Sequence, residues 1–194
     1  MTREMRLTWR SVFVCTAALW ASRLSGQTSE KDVTLIVTEK PAAYALGVPV
    51  SRLAMTIPKE TLRIDRSANE GAATSPRYFS FASQSPLLLI TGWFESADGF
   101  SSMQSFWSAE TAAWKLRGLP TPQNVSFVAI GHWNAVLYDL GLPAGRNTNI
   151  RAHWVQAGTW IDIHLSLTAD LSSDALRTSL RRTLESIVVT EKAP

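Results

Sequence analysis

Residues 150–167 constrain the fold of this chain more than any other segment. Two runs with alternating apolar and polar side chains, residues 150–156 and 159–167, are separated only by Ala157 and Gly158. Alternation with a period of two is typical of β-strands, and a two-residue connection that contains Gly predicts a tight hairpin turn. Such a turn fixes the register, because the two residues that flank it must face each other.

The predicted register divides the side chains of this hairpin between two faces. The apolar face, which we expect to lie on the core, carries Ile150, Ala152, Trp154, Ile161, Ile163, Leu165 and Leu167. The opposite face collects two imidazoles, a carboxylate, a guanidinium and a hydroxyl. It carries Arg151, His153, Val155, Trp160, Asp162, His164 and Ser166. We call this second set the polar face.

The polar face permits two chemical interpretations, a hydrolytic triad and a metal site. Asp162, His164 and Ser166 have the composition of a hydrolytic triad, but successive same-face residues of one strand lie about 6.6 Å apart with parallel side chains, whereas a triad needs converging groups. His153, Asp162 and His164 converge more easily as metal ligands, since the first two face each other across the hairpin. Arg151, opposite His164, disfavours a cation there.

Two further interpretations of the polar face involve neither catalysis nor a metal ion. The polar face is then either a solvated or partly covered sheet surface with cross-strand contacts such as His153 to Asp162, or a binding face. Trp160 beside Arg151 favours binding, because aromatic and guanidinium groups together anchor interfaces. His132 and Trp133 are a second candidate contact site, since they occupy a predicted loop.

The remaining sequence predicts an α+β fold. Apolar residues recur at helical spacing in residues 100–117 and 172–188, which predicts two amphipathic helices. β-Branched and alternating runs predict strands at residues 32–39, 53–57, 78–81, 86–95, 126–131 and 134–140. We therefore expect one domain over residues 27–194: an antiparallel sheet of six to seven strands with helices packed on it, an αβα sandwich. The small, polar residues 65–76 predict a surface loop.

Residues 1–26 have the layout of a signal peptide. Three arginines precede an uncharged, apolar stretch over residues 11–22, and small polar residues follow. Twelve residues are too few to span a bilayer as a helix, so we expect cleavage near Gly26 and no transmembrane span in the mature chain. The predicted location is the periplasm or the exterior.

Removal of this leader changes the charge balance. Four of the 19 basic residues and one of the 16 acidic residues lie in residues 1–26, so residues 27–194 carry 15 of each. The charge of a neutral mature chain is no evidence for a nucleic-acid surface. The one cysteine, Cys15, also lies in the leader. A cysteine-free mature chain suits an oxidising compartment, and no motif for a metal or other cofactor is present.

The order of elements resembles the PsbP-like family. The likeness rests on Leu53-Ala-Met-Thr-Ile-Pro58, the central helix, the hairpin strand Gly158-Thr-Trp-Ile-Asp-Ile-His164 and the closing helix into Leu184-Glu-Ser-Ile187. The resemblance implies an αβα sandwich and an exported accessory role without catalysis. We therefore expect a binding domain whose partner is a protein or small molecule of the cell envelope. The alternative is a metal-binding protein or hydrolase that uses His153, Asp162 and His164.

Overall fold

The computed structural model describes residues 34–65, 77–142 and 145–192. These residues form an α+β fold with eleven strands in two antiparallel sheets and two α-helices, which confirms the predicted fold class. The strands are β1 Ile36–Glu39, β2 Ala43–Gly47, β3 Leu53–Pro58, β4 Arg63–Ile64, β5 Tyr78–Gln84, β6 Leu87–Ser96, β7 Gln123–Ile130, β8 Trp133–Leu142, β9 Gly145–Gln156, β10 Thr159–Thr168 and β11 Val188–Glu191. The helices are α1 Met103–Leu116 and α2 Ser173–Glu185.

Several predicted segments lie outside the described residues. They are the leader at 1–26, the start of the first predicted strand at 32–33, and most of the predicted loop, residues 66–76.

The larger sheet has seven strands in the order β4-β5-β6-β10-β9-β8-β7. At its centre, β9 and β10 pair in the predicted register, with Gln156 opposite Thr159 and every pair from there to Arg151 opposite His164 as expected. The turn between them has φ of 48° at Ala157 and 72° at Gly158. Positive φ at both central residues is the type I′ turn, whose twist matches that of the two strands.

The predicted apolar face of the hairpin lies on the main core. Helix α2 covers it with Leu176, Leu180 and Leu184, all fully buried at a spacing of four residues. Ser172 caps this helix by accepting a hydrogen bond from the backbone N–H of Ala175 at 3.3 Å. The inward side chains of β2 and β3 belong to the same core cluster, so the smaller sheet and α2 together cover one side of the larger sheet.

Helix α1 covers the other side of the larger sheet. It begins after Ser102, which accepts a hydrogen bond from the backbone N–H of Ser105, and is followed by Gly118 at φ 66°. Its buried face forms a second apolar cluster with residues of β8 and β10. This cluster contains Met103, Phe106, Trp107, Trp114, Val136, Tyr138 and Trp160.

The smaller sheet, in the order β1-β2-β3-β11, departs from the prediction. The helical pattern of residues 172–188 was expected to continue to its end, but α2 stops at Glu185 and Val188–Glu191 is a strand paired with β3. Val188, Val189 and Thr190 are β-branched residues, which favour a strand once a partner is present. That partner lies more than a hundred residues earlier in the chain, so local patterning does not show it.

Candidate functional site

Apart from Val155 beside the turn, the polar face is buried between the larger sheet and α1. His153 and Asp162 are 0% exposed, and Arg151, His164, Trp160 and Ser166 are at most 9% exposed. This burial exceeds the partial cover considered from the sequence. The register was predicted correctly, but the helix that closes over this side of the sheet was not placed there. The pairing therefore brings together six of the eight predicted site residues, away from solvent.

Arg151 and Asp162 form a bidentate ion pair at the centre of this buried face. Arg151 Nε and Nη2 each donate a hydrogen bond of 2.5 Å to a different carboxylate oxygen of Asp162. The guanidinium also lies 4.9 Å from the ring centre of Trp93 and 5.2 Å from that of Phe106. Burial alone would raise the pKa of Asp162, but the Arg151 charge, aided by His153, holds that pKa below its ordinary value.

His153 lies beside this ion pair and is surrounded by aromatic rings. Its Nε2 is 3.3 Å from Oδ1 of Asp162, an electrostatic contact that does not meet hydrogen-bond geometry. The rings of Phe106, Trp160 and Phe100 meet the imidazole edge to face at 4.5, 5.0 and 5.3 Å. His153 is thus a core side chain, with the carboxylate as its nearest charged group.

His164, on β10, contacts a hydrogen-bonded row of asparagines on β9. Asn149 donates through Nδ2 to Oδ1 of Asn147 at 2.7 Å, which leaves Oδ1 of Asn149 facing Nε2 of His164 at 3.1 Å. The Tyr138 hydroxyl lies 3.1 Å from the same nitrogen, so Nε2 is engaged by two polar groups. Burial, reinforced by the Arg151 charge, lowers the pKa of His164 to about 3. The imidazole is neutral at physiological pH.

Ser166 is bonded to the same row of asparagines. Its hydroxyl accepts from Nδ2 of Asn147 at 2.9 Å, and the same amide donates to Thr168 at 2.9 Å. Asp162, His164 and Ser166 therefore bond to three different partners, namely Arg151, Asn149 and Asn147. A hydrolytic relay instead requires the base to bond to the nucleophile.

The described residues contain no group of three or more His, Cys, Asp or Glu side chains arranged to hold a metal ion. At the position considered from the sequence, Arg151 engages both oxygens of Asp162. A cation there would have to displace a guanidinium that the structure holds by two charge-assisted hydrogen bonds. No helix in the described part of the chain is both long and apolar enough to cross a membrane.

The second predicted contact site is divided by the structure. His132 is exposed in the turn between β7 and β8, but Trp133 is only 2% exposed, so its expected exposure was wrong. The physical reason is the position of the turn, which lies one residue earlier than predicted. Gly131 and His132 alone make it, with φ of 56° at Gly131, so Trp133 is already the first residue of β8. Its ring lies on the core side, 5.3 Å from that of Trp154.

Asn147 and Asn149, which complete the hydrogen bonds of His164 and Ser166, are not among the residues predicted from the sequence. Asn147 and Asn149 share the face of Arg151 because β9 begins at Gly145, not at residue 150. Continuing the alternation toward the N-terminus would have found both. The rings contributed by α1 have no such signal, because their contact with β9 and β10 depends on long-range packing.

No protein-family model matches the chain, and no curated protein does. Among solved structures, a protein from Bacteroides thetaiotaomicron VPI-5482 is similar at a TM-score of 0.40 with 9% sequence identity. The similarity covers 72% of this chain and 46% of that chain, so this chain spans about half the length of the neighbour.

Proposed function

We propose that this chain is a binding module without catalytic activity that acts in the cell envelope after export. The observation that supports this proposal is the mutual bonding of the polar face. Asp162 accepts from Arg151, Nε2 of His164 pairs with Oδ1 of Asn149, and Ser166 accepts from Asn147. These groups stabilise a unique packing of α1 on the sheet, because buried polar groups that satisfy one another specify a core.

Catalysis would require a different state of these side chains. A general base needs a free lone pair directed at a substrate, and a nucleophile needs its base within hydrogen-bond distance. Here Nε2 of His164 is engaged by Asn149 and Tyr138, and Asp162 is neutralised by Arg151. We therefore assign binding to the outer surface of the domain and a structural role to the polar face.

The cellular context of the proposal comes from the sequence. The leader at residues 1–26 supports export, and the balanced charge of residues 27–194 supports a protein or small-molecule partner of the envelope over nucleic acid. The PsbP-like resemblance agrees with an accessory role that involves no cofactor.

A metal and substrate test separates this proposal from the alternative. The purified protein is titrated with Zn²⁺ and with activated esters, and bound metal and product are measured for the wild type, His153→Gln, His164→Gln and Ser166→Ala. We expect no binding or turnover that depends on these residues. One equivalent of Zn²⁺ that is lost in the histidine variants would establish the metal-binding alternative. Ester hydrolysis lost in Ser166→Ala would establish a hydrolase.

Export is tested separately by mass spectrometry of the N-terminus of the protein recovered from cell fractions. We expect a mature N-terminus near Gln27 in the envelope fraction. An intact N-terminal leader on protein in the cytosol would overturn the proposed location.

A further inference from the structure

Strand β7 is the outermost strand of the larger sheet in the described part of the chain. Its eight residues, Gln-Asn-Val-Ser-Phe-Val-Ala-Ile, include no charged residue and no proline. Charged residues and prolines prevent edge strands from pairing, and so do bulges. The bulge of β7 is confined to its start, between Gln123 and Ser126, and residues 126–130 pair regularly with β8. The opposite edge of the same sheet, β4, is only two residues long and contains Arg63. The two edges therefore differ in their capacity to pair.

The turn at Gly131 and His132 determines which backbone groups of β7 point outward. Ile130 and Trp133 flank this two-residue turn and bond to each other, so alternate residues back to Ser126 direct their N–H and C=O groups at β8. Phe127 and Ala129 then direct theirs away from the sheet. Within the described residues no strand pairs with this side of β7, so these groups can bond to a further strand.

The side chains on this edge are also exposed apolar groups. Phe127 is 44% exposed and Val125 is 42% exposed. Phe127 lies opposite Val136, which packs in the α1 cluster, so Phe127 stands on the α1 side of the sheet. The edge thus offers unpaired backbone groups beside an exposed aromatic ring, the combination that supports strand addition.

We propose that β7 pairs antiparallel with β7 of a second copy of this chain, so that the larger sheet continues across a two-fold axis. A second copy complements this strand, because a two-fold pairing about Val128 sets the large Phe127 ring of each copy opposite the small Ala129 of the other and places no like charges opposite each other. The inference does not depend on the proposed binding function.

The outward groups select the register of this pairing. A two-fold axis at Val128 places Phe127 of one copy opposite Ala129 of the other, and both residues direct their backbone groups across the interface. A large ring then faces a methyl group on each side of the axis. The two Val128 residues form a non-hydrogen-bonded pair with Cα atoms about 4.5 Å apart.

Sedimentation velocity tests the association. For the wild type, from about 1 µM to about 1 mM, we expect a reversible monomer to dimer equilibrium, since one paired strand is a small interface. Phe127→Lys introduces a charge beside the axis, and Ala129→Pro removes an outward N–H that the monomer does not use. Each should weaken dimerisation at least about tenfold while the far-UV spectrum and melting temperature remain those of a folded chain. Val50→Lys, at an apolar and still more exposed site in the β2–β3 turn, is the matched control and should not change the dimer.

Oxidative crosslinking tests the register. In a Cys15→Ser background, Val128→Cys should form an intermolecular disulfide, because the paired Cα atoms lie within bridging distance. Ala129→Cys should not, because the two copies of residue 129 are offset along the strands. A wild type that stays monomeric to about 1 mM would overturn the proposal. So would a dimer that Phe127→Lys leaves intact, or a dimer that crosslinks through residue 129 and not residue 128.

Discussion

The buried, neutral state of His164 makes the stability of this protein depend on pH above the range in which carboxylates titrate. In the unfolded chain the imidazole takes up a proton at its ordinary pKa near 6.5, whereas in the folded protein its pKa is about 3. Between these values the unfolded state binds more protons, so acid favours unfolding. The contribution of His164 is complete above pH 6.5 and is lost progressively as the pH falls toward 3.

The size of this effect follows from the two pKa values. Each pH unit below 6.5 costs about 1.4 kcal/mol, so lowering the pH from 7 to 5 reduces the free energy of unfolding by about 2 kcal/mol through His164 alone. The lowered pKa values of Asp162 and Asp139 act in the same direction, but below about pH 4, where carboxylates take up protons. The interval from pH 5 to 7 therefore isolates the histidine from them.

Urea unfolding at pH 7.0, 6.0 and 5.0 measures this loss in the wild type and in His164→Gln. Glutamine retains an N–H donor for Asn149 but does not titrate, so the difference between the two pH slopes reports His164. We expect the wild type to lose about 2 kcal/mol more than the variant. Equal losses in both proteins would refute the burial of a neutral imidazole at this position.

The remaining predictions concern the ion pair and the closest approach of β6 to β10. Asp162→Ala should lower the free energy of unfolding, measured in urea, by about 3–5 kcal/mol, because it leaves the buried Arg151 guanidinium without its counter-charge. Adding Arg151→Met should recover part of that loss. A cost below about 1 kcal/mol would show that the ion pair is solvated. Gly92→Ala should destabilise the protein by about 3 kcal/mol or more, because the new Cβ would lie 2.1 Å from the carbonyl oxygen of Asp162. The control is Gly141→Ala in β8, whose Cβ would meet nothing within 4 Å, and its stability should stay within about 0.5 kcal/mol of the wild type. Similar melting temperatures for the two alanine variants would contradict the tight contact of β6 with β10.

The β9–β10 hairpin shows how far the sequence predicts this fold. Its pairs and both of its faces follow from local rules, because a two-residue turn fixes the register and alternation then assigns every side chain. Whether a polar face meets water or another element is not a local property. It depends on the docking of α1, whose own periodicity shows an apolar stripe but not the surface that receives it.

The same distinction explains the other departures. Trp133 was expected in the turn with His132, yet the turn lies one residue earlier, at Gly131 and His132, and this shift moves the tryptophan from the surface to the core. Strand β11 was not predicted, and its first residue, Val188, was assigned to the closing helix, because the partner strand β3 is remote in sequence. Short strands gain their stability from such remote partners, so their own residues predict them poorly.

Chemical modification of the three histidines tests the central claim most directly, namely that the polar face is enclosed by α1. Diethyl pyrocarbonate reacts with neutral imidazoles that solvent reaches, and peptide mass spectrometry assigns the modified positions. For the folded protein near pH 7, we predict rapid modification of His132, which is exposed, and protection of His153 and His164 until the protein is unfolded. Modification of His153 or His164 at the rate of His132, in protein that remains folded, would contradict the account.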